Sequence, residues 1–223
     1  MHCPLCACPD PTPLPAGRRE LHACPHCRLV FAPPACHPTP AAARARYAQH
    51  HNSAANDGYV RFLEKIVIPA LPFMPPSALA LDYGCGPTPV LAGLLAARGH
   101  ACDSYDPHFT PPPPRPSYPV IFATEVIEHF CAPAADFDRL LSLLAPDGLL
   151  CLMSEWQHDR TDFARWHYTS DDTHVALYHP ATMDWLADRH RLAILHRDTE
   201  RVIILRRPAT LPPVTAPRSS TGE

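Results

Sequence analysis

Proline is the residue that most constrains how this chain can fold, because 30 of its 223 residues are proline and they are clustered. Proline lacks an amide donor and fixes φ, so it interrupts helix interiors and central strands. The clusters therefore mark seams between structural units, and they fall at residues 9–15, 33–40, 69–76, 107–119 and 208–217. We divide the chain accordingly into residues 1–37, 38–76 and 77–207, and a polar tail at 208–223 that is predicted to be disordered.

Composition narrows the class of protein. An apolar content of 46% allows a sizeable core, and a net charge of −3 argues against strong binding to a phosphate backbone. The sequence has no apolar run long enough to cross a membrane, and it does not begin like a signal peptide. We therefore expect a cytoplasmic protein that acts on a small molecule, with no membrane partner and with RNA disfavoured; no oligomeric state is indicated.

Two cysteine pairs near the N-terminus share one spacing. Two residues separate Cys3 from Cys6 and Cys24 from Cys27, and 17 residues lie between the pairs. In a reducing compartment such pairs are typical of zinc ribbons, whereas a redox dithiol needs only one pair. Residues 1–37 are therefore predicted to be a small zinc-ribbon-like module with a structural zinc ion. Alternative ligands within this stretch are Cys8, His22, His26 and Cys36.

From residue 77 onward, short apolar segments alternate with amphipathic ones. Strands are predicted at residues 78–82, 101–105, 120–123 and 149–153, and helices at 90–98, 133–145 and 180–190. A closing hairpin is predicted from strands at 192–196 and 202–206. Residues 38–76 are predicted to form a helical lead-in. Strands alternating with helices indicate an α/β, Rossmann-like fold with a mostly parallel sheet covered on both faces.

A glycine turn follows the first of these strands. Asp82 ends the strand, Gly84 and Gly86 follow it, and Asp106 ends the next strand. Glycines let the backbone approach a ligand, and an acid at that distance can bind both ribose hydroxyls. Pro89 stands where a nicotinamide dehydrogenase would have its third glycine, so the dehydrogenase fingerprint fails. The pattern predicts a nucleotide-like cofactor.

At these residues the chain resembles the class I methyltransferases that use S-adenosylmethionine (SAM). The resemblance extends over roughly residues 77–207, including segments 118–125 and 143–150 that resemble the family's fourth strand and its turn into the fifth. It implies a class I methyltransferase sheet, SAM as cofactor and methyl transfer as activity. The cofactor-binding residues that it implies are Asp82, Gly84, Cys85, Gly86, Asp106, Pro107 and Thr124.

The chain departs from that family at two places. Thr88 stands at the family's third glycine position. Only 13 residues separate Asp106 from Val120, and about half of them are proline, so the usual helix, strand and helix cannot form there. The third strand of the sheet is therefore predicted to be missing.

A second group of chemically active residues follows the strand at 120–123. Glu125, Glu128 and His129 resemble the Glu-x-x-Glu-His metal motif of the ubiquinone-pathway O-methyltransferases and of the small-RNA 3'-terminal 2'-O-methyltransferases. In the latter a later histidine completes the site, and His174 is the candidate here. Spacings of three and four residues at a helix start would bring such side chains together. We predict all four residues as ligands of Mg, Mn, Fe or Zn, with His129 and His174 as the catalytic residues.

The function therefore has one leading hypothesis and several alternatives. The leading one is metal-assisted O-methylation of a small hydroxylated molecule, in which the ion lowers the pKa of the substrate hydroxyl. The glutamates could instead be favourable charges at a helix N-terminus, with His129 as a general base. Further alternatives are 2'-O-methylation of an RNA end, and a SAM-fold binding protein without turnover. Aromatic residues interpreted as lid or core packing are Trp156, Trp166, Tyr168 and Tyr178.

Overall fold

The structure is a computed structural model that describes residues 1–49, 52–110 and 115–209. Residues 50–51, 111–114 and 210–223 lie outside the described residues, and most of the tail predicted at 208–223 is among them. Within the described ranges, no helix combines the length and the apolar character needed to cross a bilayer.

The chain begins with an antiparallel sheet and a helical lead-in. Strands β1 (Thr12–Ala16), β2 (Arg19–Ala23) and β3 (Val30–Phe31) pair in sequence order. Helix α1 (Pro40–Tyr47) and helix α2 (Asp57–Ala70) follow, so the predicted lead-in is helical. The side chain of Asn56 accepts hydrogen bonds from the amides of Gly58 and Tyr59, which fixes the start of α2.

The remaining elements form the α/β unit. In chain order they are β4 (Ala80–Tyr83), α3 (Val90–Ala96), β5 (Cys102–Tyr105), β6 (Tyr118–Thr124), α4 (Pro133–Ser142), β7 (Leu144–Met153), β8 (Ala176–Leu177), α5 (Pro180–His190), β9 (Ala193–Arg197) and β10 (Val202–Arg206). Six of the strands form one sheet in the order β5-β4-β6-β7-β10-β9. β4 to β7 are parallel, and β10 is antiparallel to both neighbours. This confirms the α/β, Rossmann-like fold with a mostly parallel sheet, in which β5 is the edge strand among the described residues.

Alternating side chains of the central strands cover the two faces of this sheet. On β6, Val120 and Phe122 pack with residues of α2 and α3. Ile121 and Ala123 point to the opposite face and pack with residues of α4 and α5. Successive side chains of a strand point to opposite faces of the sheet, so alternate residues of β6 belong to the two different cores.

Two predicted elements differ in the structure. Helix α4 ends at Ser142, before the end of the helix predicted at 133–145, and β7 begins at Leu144, five residues before the strand predicted at 149–153, with a register shift against β6. The helix start assumed for the Glu125, Glu128 and His129 motif is instead a single 3-10 turn, Ile127–His129. Glu125 itself has a φ of 53°, which is left-handed and prevents a helix from starting there.

The N-terminal module shares its sheet and its core with the α/β unit. β3 pairs with β8, so a strand of the α/β unit completes the four-stranded sheet β1-β2-β3-β8. Leu5, Leu29 and Phe31 belong to the same buried cluster as Phe137 of α4 and Tyr178. Residues 1–37 are therefore continuous in packing with the α/β unit.

Candidate active site

The glycine turn lies at the carboxyl end of β4, beside the end of β5. Gly84 has a φ of +81°, and a Cβ there would lie 2.5 Å from Val126, so no other residue fits without rearrangement. Gly86 has a φ of +67° and open space where a Cβ would point. The backbone at Gly86 is thus free to contact a ligand.

Asp106 holds this turn in place. Its Oδ2 accepts a hydrogen bond from the Gly86 amide at 3.0 Å, and its Oδ1 accepts one from the His108 amide at 2.8 Å. The side chain is buried, at 7% exposure for the residue. A buried carboxylate that faces a cavity is well suited to accept hydrogen bonds from ligand hydroxyls.

A single cavity of about 730 Å³ extends from this turn to the segment after β6. All the cofactor-binding residues predicted from the resemblance line it, namely Asp82, Gly84, Cys85, Gly86, Asp106, Pro107 and Thr124. The Oγ1 atom of Thr124 is buried and has no hydrogen-bond partner among the described residues. A buried hydroxyl in the cavity wall that lacks a protein partner is available to hydrogen-bond a ligand or water in the cavity.

Asp82 is buried at the end of β4, where burial and then the charge of Asp106 raise its pKa from near 4 to about 7. The native protein therefore holds a proton on Asp82 between about pH 4 and pH 7, where the unfolded chain has released it. Stability from this group falls as pH rises through that window, by up to about 4 kcal/mol. A positively charged ligand bound beside Asp82 would stabilise its ionised form and so offset the free-energy cost of burying that charge.

Replacing Asp82 by asparagine is expected to remove that pH dependence. In urea unfolding without ligand, D82N should be more stable than the wild type at pH 8 and similar to it at pH 4.5. The exposed Asp138 provides the matched control, because D138N should keep the wild-type pH profile. An identical profile for D82N and the wild type would contradict the proposed burial cost.

Residues 125–129 approach the cavity from the carboxyl end of β6. The Glu125 amide donates to the Met153 carbonyl at 2.7 Å, which extends the β6–β7 pairing to this residue. Its left-handed φ then turns the chain sharply into the 3-10 turn. Strained conformations of non-glycine residues tend to occur at functional sites, where surrounding contacts hold them.

Glu128, His129 and His174 come together beside the cavity. One ligand atom from each lies within 4.8 Å of the others, and the two imidazole rings are 4.9 Å apart. Nδ1 of His129 contacts the Thr173 carbonyl at 2.9 Å, and Nδ1 of His174 contacts the Tyr168 carbonyl at 2.8 Å. A carbonyl only accepts, so both Nδ1 atoms carry the proton and both Nε2 atoms are free to bind a metal.

Burial keeps both imidazoles neutral. It lowers the pKa of His129, and it lowers the pKa of His174 to about 3, with the neighbouring His129 adding to the effect. Neutral imidazole is the form that ligates metals.

Glu128 is fully buried and held by Tyr168. Its Oε1 accepts a hydrogen bond from the Tyr168 hydroxyl at 2.5 Å, whereas its Oε2 has no hydrogen-bond partner among the described residues. Burial raises the pKa of Glu128 to about 7. A buried carboxylate with one free oxygen next to two free imidazole nitrogens can serve as a donor set for a divalent cation.

Glu125 lies outside this group of three, although it was predicted as a fourth ligand. Its Oε1 lies 3.6 Å from Nη1 of Arg201, and its Oε2 lies 3.2 Å from the Tyr168 hydroxyl. Burial and the nearby Glu128 carboxylate raise its pKa. Because Glu125 has a left-handed backbone, its side chain does not point the way it would on a helix, where it would lie beside Glu128 and His129.

Two residues of this site were missed by sequence reasoning. Tyr168 was interpreted as packing, but its hydroxyl contacts Glu125, Glu128 and Ser154. Arg201, between β9 and β10, also bonds Glu155 at 3.0 Å. Neither belongs to a motif, so no local spacing pattern could have identified them.

The four predicted cysteines also come together. The Sγ atoms of Cys3 and Cys27 are 3.6 Å apart, those of Cys6 and Cys24 are 3.4 Å apart, and all four lie within 4.8 Å. Four sulfur ligands of a tetrahedral zinc ion lie about 3.8 Å from one another. The alternative ligands Cys8, His22, His26 and Cys36 do not belong to this group among the described residues.

The two cysteine pairs form matching turns. The Ala7 amide donates to the Cys3 carbonyl at 3.0 Å, and the Arg28 amide donates to the Cys24 carbonyl at 3.1 Å. Ala7 and Arg28 both have a left-handed φ, of 58° and 64°. This cluster can hold a tetrahedral ion with no open position, as structural zinc sites do.

Comparisons with known proteins identify the α/β unit. A family model described as a methyltransferase domain matches residues 48–197, more than half of the chain. A search of curated proteins finds no significant match.

Two solved structures have the same fold. One is the 1,6-didemethyltoxoflavin-N1-methyltransferase of Burkholderia thailandensis with 1,6-didemethyltoxoflavin and S-adenosylhomocysteine, at 13% identity and a TM-score of 0.55, covering 88% of this chain and 99% of that one. The other is the magnesium protoporphyrin IX methyltransferase of Synechocystis PCC 6803 with bound S-adenosylhomocysteine, at 16% identity and a TM-score of 0.52, covering 76% and 95%.

Proposed function

The chain belongs to the methyltransferase-domain family, and we propose that it uses SAM and a divalent cation to methylate an oxygen of a small hydroxylated molecule. The observation that carries the proposal is the single cavity that both Asp106 and the imidazoles of His129 and His174 line. A cofactor at one end and a substrate at the other would share this space.

The cofactor end is supported by residues that fit SAM. Asp106 would accept hydrogen bonds from the ribose hydroxyls, and the open backbone at Gly86 allows close approach. The free Thr124 hydroxyl offers a hydrogen-bond donor, and the buried Asp82 carboxyl, whose pKa is raised to about 7, would release its proton beside a positively charged ligand. When bound, SAM supplies a methyl group on a positively charged sulfur. Asp82 would complement the positive charge of that ligand.

The substrate end is supported by the group of Glu128, His129 and His174. One carboxylate and two imidazoles suit Mn, Fe or Zn, and Mg less well. Three protein ligands leave positions open for a substrate oxygen, in contrast to the four cysteines. A cation held there would lower the pKa of a substrate hydroxyl. A single general base would not need a second free imidazole and a free carboxylate oxygen beside it.

The character of the cavity favours a small acceptor over an RNA end. Among the described residues that line it, Arg46 and Arg139 are the cationic side chains other than histidine. Arg46 bonds Asp171 at 2.8 Å, and Arg139 bonds the Tyr105 hydroxyl at 3.3 Å. An RNA end would bring several phosphates, and a lining with two arginines, one of them paired with a carboxylate, offers them few cations.

Replacing Glu128 by glutamine tests the metal directly. Glutamine keeps the volume and an acceptor for Tyr168 but removes the charge that a cation needs. We expect methyl transfer to fall by at least about 100-fold, since even partners outside the ligand set cost 10- to 100-fold. E64Q is the matched control, because Glu64 pairs with Arg98 away from the cavity, at 2.6 Å.

The assay itself would follow transfer of labelled methyl from SAM to catechols, sugars, small amines and short RNA, each with and without added Mg, Mn, Fe or Zn. Turnover that is equal in E128Q and in the wild type, and insensitive to added metal, would eliminate the metal-assisted step. Methylation of RNA alone would favour the 2'-O alternative, and SAM binding without any turnover would favour a binding protein.

A further inference from the structure

The segment of residues 168–177 lies between the N-terminal module and the turn that carries Glu128. The Val175 amide donates to the Glu128 carbonyl at 2.8 Å, while the Val175 carbonyl accepts from the Ala32 amide at 2.9 Å. The next two residues after Val175 form β8, which pairs with β3. One peptide chain thus connects the module on one side with the Glu128 turn on the other.

This segment supplies most of the contacts that orient the proposed metal site. It carries His174 itself and Tyr168, whose hydroxyl holds Glu128. The Thr173 carbonyl holds the ring of His129, and the Tyr168 carbonyl holds the ring of His174. The geometry of the three predicted ligands therefore depends on the conformation of residues 168–174.

Arg19 of β2 reaches across from the module and holds that conformation. Its Nη1 donates to the carbonyls of Thr169 at 3.1 Å and Asp171 at 2.7 Å, and its Nη2 donates to the carbonyl of His174 at 2.9 Å. The Arg19 side chain is only 8% exposed. A planar guanidinium can bind three carbonyls at fixed angles, which a flexible ammonium cannot do as well.

Residues 168–174 have little regular structure to hold them otherwise. They comprise the end of a 3-10 turn, His167–Ser170, followed by a bend without a strand ladder. Loops with few backbone pairings open at low free energy unless other contacts fix them. The buried charge of Arg19 supplies three such contacts at once.

We propose that Arg19 is a positioning residue for the Glu128–His129–His174 site, and that the N-terminal module serves to hold residues 168–174 in the conformation that presents His174 and Tyr168. The proposal rests on the proposed function insofar as that site binds a cation. It gives the module a role inside the enzyme, in place of docking a separate partner.

The test compares R19M with R18M. Methionine keeps much of the length of arginine but removes the guanidinium. Arg18 is the matched control, because it is adjacent, bonds the Ser170 carbonyl at 2.9 Å, and has a side chain that is 70% exposed. Mn²⁺ serves as the probe, since it prefers oxygen and nitrogen ligands and would leave a cysteine-bound zinc ion in place.

R19M is expected to bind Mn²⁺ about 10- to 100-fold more weakly than the wild type, as measured by the electron paramagnetic resonance of free Mn²⁺. R18M should bind Mn²⁺ like the wild type, and R19K should lie between R19M and the wild type. Zinc content and SAM affinity by calorimetry should be unchanged in all variants. Equal Mn²⁺ affinity in R19M and R18M would overturn the proposal, as would a loss of SAM binding that parallels the loss of Mn²⁺.

Amide hydrogen exchange separates this inference from the proposed function. If the wild type binds no Mn²⁺, the metal-assisted function fails, and exchange then decides the role of Arg19. The amides of Thr169, His174 and Val175, which donate within this region, should exchange at least tenfold faster in R19M and at the wild-type rate in R18M. Unchanged exchange in R19M would show that Arg19 does not position the segment.

Discussion

Replacing Asp106 by alanine is expected to weaken SAM binding by roughly 10²- to 10⁴-fold. Two hydrogen bonds from ribose hydroxyls to a buried carboxylate would be lost, at about 1.5–3 kcal/mol each. Each 1.4 kcal/mol is about a factor of ten in affinity. The loss also frees the Gly86 and His108 amides, which Asp106 holds at 3.0 and 2.8 Å. Isothermal calorimetry with SAM measures the effect.

Asp103 provides the control for this experiment. It lies on β5, three residues before Asp106, but its carboxylate accepts a hydrogen bond from the Tyr118 hydroxyl at 2.8 Å and pairs with Arg115 instead of lining the cavity. D103A should therefore bind SAM within about twofold of the wild type. D106N keeps one acceptor oxygen and should fall between D106A and the wild type. Unchanged binding in a folded D106A protein would refute SAM as the ligand of this turn.

The sheet and the cofactor end could be predicted from the sequence because their signals are local. The strand expected at residues 101–105 is β5, and the glycine turn leads from β4 into α3. The prolines at 107–119 argue against a third strand, and among the residues that the structure describes β5 lies at the edge of the sheet. Each of these features depends on residues close together in sequence, where periodicity and backbone restriction are informative.

The substrate end could be predicted only in part, because its contacts join distant residues. Glu128, His129 and His174 do come together, but Tyr168 and Arg201 reach the site through contacts that no motif encodes. Glu125 was placed with the other ligands by assuming a helix start. In the structure Glu125 has a left-handed φ instead of a helical one. The left-handed φ of Glu125 therefore sets the direction in which its carboxylate points, and sequence spacing does not predict that angle.

The pairing of the N-terminal module with the α/β unit also could not be predicted from local sequence patterns. Two residues, Ala176 and Leu177, pair with β3 and complete the module's sheet. A strand this short carries no periodicity. It forms because Val175 is already held by hydrogen bonds to Glu128 and Ala32 on its two sides.

Replacing Cys24 by serine is expected to release a zinc ion from the module and abolish methyl transfer. Structural zinc sites contribute roughly 10–16 kcal/mol of apparent binding free energy, which is coupled to folding. Cys3, Cys24 and Cys27 belong to the buried cluster that also contains Phe137 and Tyr178. Loss of the ion would therefore disturb β3, its pairing with β8, and the segment that carries His174. Metal analysis should find about one zinc per wild-type chain and much less in C24S.

Cys36 supplies the control, because it is an exposed cysteine of the same module that lies outside the cluster of four. C36S should keep both zinc and activity.

If C24S fails to fold, the same question can be put to the wild type by removing zinc with a chelator and restoring it. Because Asp106 and the glycine turn lie on the α/β sheet, SAM binding should survive this treatment better than turnover does. A zinc-free protein with full turnover would mean that the cysteines do not support the site through β8, and wild-type protein that contains no zinc would exclude a zinc module altogether.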